Sequence, residues 1–110
     1  MALYLYQLLY TAESWAAQTK SPQNRMATVA PKICEAAGGK CIGAWYCFGE
    51  WDAVLIAEMP DAQSMAAVAI AVAAGGAIKA SQTTQLLSGT EVVGALKKAA
   101  DVSKAYRPAK

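Results

Sequence analysis

The sequence predicts an α+β fold: a ferredoxin-like βαββαβα chain with a four-stranded antiparallel sheet, pairing with a second copy into a dimeric α/β barrel. Three observations predict it. Strand-like and helix-like periodicities follow one another as strand, helix, strand, strand, helix, strand, helix. The 110 residues fit one domain, with a core over about residues 2–100, no linker and no internal repeat. Finally, 55% of the residues are hydrophobic and only 16% charged. One small domain has too little interior for that much apolar surface, so part of it belongs between subunits.

ALYLYQLLY, residues 2–10, reads as the first strand. Tyr4, Tyr6, Leu8 and Tyr10 point one way and Leu3, Leu5, Gln7 and Leu9 the other. Both faces are largely apolar, so a sheet covered by helices on one side still needs a second cover. Thr11 is placed to cap a short helix, AESWAAQTK. Ser21-Pro22 then reads as a second helix start, with Met26, Val29, Ile33 and Ala37 as its buried stripe. Pro31 inside that stretch predicts a kink or a lost hydrogen bond near Ala27, and Gly38-Gly39 a left-handed end.

KCIGAWYCF, residues 40–48, and DAVLIAEM, residues 52–59, are the second and third strands. Only Gly49, Glu50 and Trp51 lie between them, which predicts a tight hairpin. Pro60-Asp61 opens a helix near Ala62 that runs to about Ala74 and ends at Gly75-Gly76. Its alanines allow close approach to the sheet. AIKASQTTQLL, residues 77–87, is the most polar strand. A last helix opens at Gly89-Thr90-Glu91 with Val92, Val93, Leu96 and Ala99-Ala100 as its apolar face, and residues 106–110 form a frayed tail.

The net charge is +2; the basic residues are scattered apart from one C-terminal cluster, Lys97, Lys98, Lys104, Arg107 and Lys110, which reads as a solvated helix face. No helix carries the dense basic face that nucleic-acid binding demands. The most membrane-like stretch, residues 65–78, is alanine-rich, broken by Gly75-Gly76 and too short to span. No leader pattern precedes the first strand, which points to a cytoplasmic protein. Cys34, Cys41 and Cys47 have no metal-ligand spacing, and there is no histidine. The expectation is three small buried thiols, with no metal, no cofactor and no histidine base.

Several segments together resemble the GYD domain family of the dimeric α/β-barrel superfamily. They are Ser21-Pro22 with Arg25, Gly38-Gly39-Lys40, Gly43-Ala44-Trp45, Phe48-Gly49-Glu50-Trp51-Asp52, Ile56-Ala57-Glu58-Met59-Pro60-Asp61, the alanine-rich helix to Gly75-Gly76, and Thr83-Thr84. The resemblance covers roughly residues 2–90. Trp51 stands where the family's signature has tyrosine, which keeps an aromatic and removes a phenol. The resemblance implies the fold and a homodimer or higher homo-oligomer. Elsewhere in the superfamily are cofactor-free monooxygenases, isomerases of small cyclic acids and haem-using chlorite decomposers, but fold alone does not fix function.

Two residues are candidate catalytic groups. Asp52 beside Trp51 is a general base if burial raises its pKa, or else a hydrogen-bond acceptor for the turn. Glu58 interrupts the apolar row of Val54 and Ile56; if buried it needs a partner such as Lys79 or Arg25. Tyr4, Tyr6, Trp45, Trp51 and Thr83 are candidate ligand contacts, or else core and interface side chains. Two functions follow. One is a homo-oligomer that binds a small, mostly apolar organic molecule, with cofactor-free proton abstraction or oxygenation if it is an enzyme. The other is a non-catalytic assembly module built on the apolar sheet face.

Overall fold

The computed structural model describes residues 1–110. Its elements are β1 (Ala2–Tyr10), α1 (Ala12–Lys20), α2 (Arg25–Thr28), α3 (Ala30–Ala36), β2 (Lys40–Tyr46), β3 (Ala53–Met59), α4 (Ala62–Ala74), β4 (Ile78–Leu86) and α5 (Gly89–Ala105). The sheet is antiparallel throughout, in the order β2-β3-β1-β4. This is the ferredoxin-like arrangement with β1 and β3 central.

Register decides which side chains share a face. Tyr6 lies opposite Leu55 on β3 and Thr83 on β4. Tyr4, Tyr6, Leu8 and Tyr10 therefore join Ala53, Leu55, Ala57 and Met59 on the side under the helices, and all eight are buried. From above, Ala30 and Cys34 of α3 and Met65 and Val68 of α4 complete the core. Burial pushes the Cys34 thiol up to about 12, and the neighbouring Cys41 adds to the rise. The other two cysteines are only half-buried.

The second face carries Leu3, Leu5, Gln7 and Leu9 of β1, Val54, Ile56 and Glu58 of β3, Trp45 of β2 and Leu86 of β4. No helix lies on it, and none of these side chains is buried. The tyrosine face is thus the covered one, and the leucine face stays open.

Helix α1 is capped by the Thr11 side chain, which accepts from Ser14 N–H at 3.0 Å. Ser21 ends α1 rather than starting a new helix. Asn24 caps α2 instead, its Oδ1 accepting from Ala27 N–H at 3.3 Å. Pro31 separates α2 from α3 and occupies the first turn of α3, where its missing N–H costs nothing. The break turns the helix, so Ala30 and Cys34 reach deepest. Met26, Ile33 and Ala37 flank them and are only partly buried. Gly38, at φ 83°, makes the left-handed exit. Asp61 caps α4 through Ser64 N–H at 2.8 Å; the Ser64 hydroxyl, donating at 2.7 Å, and then that N–H hold its carboxyl below the usual carboxylate range.

The β2–β3 connection is wider than a tight hairpin: strand pairing stops at Tyr46 and Ala53. Asp52 explains the width. Its N–H donates to Leu8 O at 2.9 Å, its carbonyl accepts from Cys47 N–H at 2.9 Å, and its Oδ2 accepts from Tyr10 N–H at 2.9 Å. The carboxylate stands in for a strand that has ended. Replacing Asp52 with Ala leaves the Tyr10 N–H unpaired and should cost about 1–3 kcal/mol. Asn keeps an acceptor oxygen and should cost less than half as much. Urea unfolding of the two variants checks this, and equal losses would mean that the Tyr10 contact contributes nothing.

Helix α5 has the apolar face read from the sequence, yet none of its residues is buried. The chain extends 59 × 34 × 23 Å with a radius of gyration of 17.5 Å, against about 13 Å for a compact chain of this length. Residues 106–110 follow it without regular structure. No helix is long and apolar enough to cross a membrane.

Candidate functional site

Helices α2 and α3 cover the β2 side of the sheet and α4 the β4 side. Between them lies a cavity of about 310 Å³. Its floor is Tyr6, Leu8, Tyr10 and Leu55. One wall is Arg25, Met26, Val29, Ala30 and Ile33, and the other comes from the C-terminal part of α4 with Ala77 and Ile78. The gap has a sequence cause. Helix α4 buries only Met65 and Val68, both in its first two turns. Its last turns carry Ala71, Val72 and Gly75, too small to close the distance to α3.

Three of the lining residues carry polar groups. The Tyr6 hydroxyl is fully buried and has no hydrogen-bond partner. Ser81 on the adjacent strand is near enough to favour the phenolate slightly, but not in hydrogen-bond geometry; burial dominates and raises the Tyr6 pKa. Burial also raises the Tyr10 phenol, with Tyr46 adding to the rise and the Arg25 guanidinium opposing it. Arg25 is half-buried and makes no ion pair; the one salt bridge in the chain joins Asp101 and Lys104 on α5. Arg25 is held by its backbone, whose N–H donates to the Tyr46 hydroxyl at 3.3 Å. Trp15 packs edge-on against Tyr10, with ring centroids 5.0 Å apart.

The candidate residues read from the sequence divide among three places. Tyr6 is in the cavity floor. Tyr4 is on the same sheet face but is packed in the core beyond the cavity. Thr83 lies opposite Tyr6 on the exposed edge strand. Trp45 is on the open face, 53% exposed, with its indole folded over Gly43. Glu58 is also on the open face, flanked by Leu3 and Lys40, and forms no ion pair with Lys79 or Arg25. Asp52 and Trp51 belong to the hairpin, where the Trp51 carbonyl accepts from Cys47 Sγ at 3.1 Å. Tyr10 and Arg25 were not among the candidates. The available signal was a lone arginine at the head of the apolar series Met26, Val29, Ala30 and Ile33.

A four-stranded antiparallel sheet with helices on one face defines a ferredoxin-like α+β protein. Within that class the chain belongs to the GYD domain family, whose model matches residues 4–96. No curated protein sequence matches it. Among solved structures it is similar to FFRP-DM1, at 10% identity and a TM-score of 0.54 over 79% of this chain and 100% of that one. It is also similar to MtbAldR, at 10% identity and 0.54, covering 79% of this chain and 52% of that one. The hypothetical protein PHS023 from Pyrococcus horikoshii matches at 11% identity and 0.51, over 80% of this chain and 92% of that one. At such identities the likeness shows the fold.

Proposed function

We propose that the chain binds a small, mostly apolar organic acid in the cavity between sheet and helices, and does so as a homodimer closed over the open sheet face. The observation that carries the ligand reading is a cavity floored by Tyr6, whose buried hydroxyl is unpartnered, and walled by an arginine without an ion pair. A buried donor without an acceptor is costly, and a ligand oxygen removes that cost. Arg25 at the same cavity favours a carboxylate. A volume of about 310 Å³ is at the small end of ligand cavities, roughly 300–1,000 Å³.

Binding is better supported than turnover. The Asp52 carboxylate is engaged with Tyr10 N–H, and Glu58 projects from the opposite side of the sheet from the cavity. As a base, either would act outside the cavity wall.

Trp15, in contact with Tyr10, offers a fluorescence reporter for titration with short aliphatic and aryl carboxylic acids. Arg25→Gln should weaken acid binding about tenfold to a hundredfold, the worth of a charge-assisted hydrogen bond. Binding of the matching neutral alcohols should be unchanged. Equal weakening of both classes would remove the carboxylate from the proposal. For the dimer, sedimentation of the intact protein should report twice the 11.5 kDa chain mass.

A further inference from the structure

Helix α5 is a 17-residue amphipathic helix that touches little of its own domain. On a helical projection Val92, Val93, Leu96, Ala99 and Ala100 form one continuous face, while Lys97, Lys98, Asp101 and Lys104 occupy the other side. Leu96 is 63% exposed and Val93 51%. A helix of this length is marginal alone in water; packing of its apolar face is what makes it persist. Its direction is set locally. Only Leu87 and Ser88 separate it from β4, and Ser88 forms a reciprocal capping box with Glu91, both bonds at 3.0 Å.

We infer that α5 is an exchanged arm: its apolar face docks on the body of a second copy of this chain. The inference rests on the dimer reading given above and adds the arm to it. Three observations select that occupant. The first is continuity. Leu86 lies on the open sheet face beside Leu3, and α5 begins three residues further along the chain, with Leu87, Val92 and Val93 all exposed. A copy seated on the open face therefore lies within a few residues of the first turn of α5. The second is area. Four strands about 4.8 Å apart and about 26 Å long present a footprint of about 500 Å², short of the ~800 Å² per partner of a standard interface. One side of a helix about 25 Å long and ~10 Å wide adds about 250 Å². The third is charge. Residues 89–110 hold Lys97, Lys98, Lys104, Arg107 and Lys110 against Glu91 and Asp101, net +3, whereas residues 1–88 hold five basic and six acidic residues, net −1. Arm against arm is repulsive; arm against body is not.

The test uses the full chain. Equal amounts of unlabelled and ¹⁵N-labelled protein are unfolded together, refolded and treated with a lysine-reactive cross-linker. The result expected is mixed-isotope links joining Lys97, Lys98 or Lys104 to Lys20, Lys32, Lys40 or Lys79, together with a dimer in sedimentation. Links of one isotope only, in a sample that sediments as a dimer, would mean that the arm folds on its own body; this overturns the exchange and leaves the sheet-face dimer standing. Mixed links only between α5 lysines would replace the body with the other arm and also overturn it. A monomer at 100 µM or so would overturn both readings. As a second measurement, Leu96→Glu should raise the dimer dissociation constant at least tenfold; an unchanged constant overturns the arm.

Discussion

Gly39→Ala should destabilise the protein by about 3 kcal/mol, one of the largest losses for a single methyl anywhere in the chain. Gly39 lies where α3 hands over to β2, pressed against β3. A Cβ there would sit 2.5 Å from Met59 Sδ and closer still to the carbonyl oxygen of Glu58. The Met59 side chain is fully buried and has nowhere to go, and the Glu58 carbonyl belongs to a central strand paired on both sides. Relief needs β2 or β3 to move as a unit, which also disturbs Cys34 above them. Gly43→Ala is the contrast. Its Cβ would also meet an atom at 2.5 Å, but that atom is the tip of the half-exposed Trp45 indole, which can swing into solvent. Its cost should stay below about 1 kcal/mol. Urea midpoints at constant m compare the two. Equal losses would show that the α3–β2 junction yields as easily as a surface tryptophan.

Much of this fold was legible because local signals agreed. Tyr-Leu alternation fixed β1 to the residue, and Pro60-Asp61 with Gly75-Gly76 bounded α4. Ser21-Pro22 misled because two cap signatures lie three residues apart; Asn24 won, having a side-chain bond to Ala27 N–H that leaves Pro22 outside the helix. The hairpin width depended on Asp52 reaching Tyr10, a contact 42 residues away in sequence. Which face of β1 the helices cover was not readable, since tyrosine and leucine both suit burial. The pattern of α5 announced an apolar face but not the surface it meets. The cavity was the least legible feature. It is a distance between two helices, set by small side chains at Ala71 and Gly75 that leave no periodic trace.

Tyr6 should separate stability from binding more sharply than any other position. Tyr6→Ala removes a ring that is 1% exposed on a central strand and should cost about 3–5 kcal/mol. Tyr6→Phe keeps the ring and deletes only the unpartnered hydroxyl, so the ligand-free protein should gain about 1 kcal/mol. The two variants would then differ by roughly 4–6 kcal/mol at one site. The gain matters more than the loss, because a buried hydroxyl without a partner is uncommon in a native core and marks a place where an acceptor is missing. If that acceptor is a bound carboxylate beside Arg25, saturating acid should raise the melting temperature of the parent protein more than that of Tyr6→Phe, as linkage between binding and folding requires. A Tyr6→Phe protein that is less stable than its parent without ligand would mean that the hydroxyl already has its partner. The cavity would then be a packing gap, and the reason for placing a ligand in it would be gone.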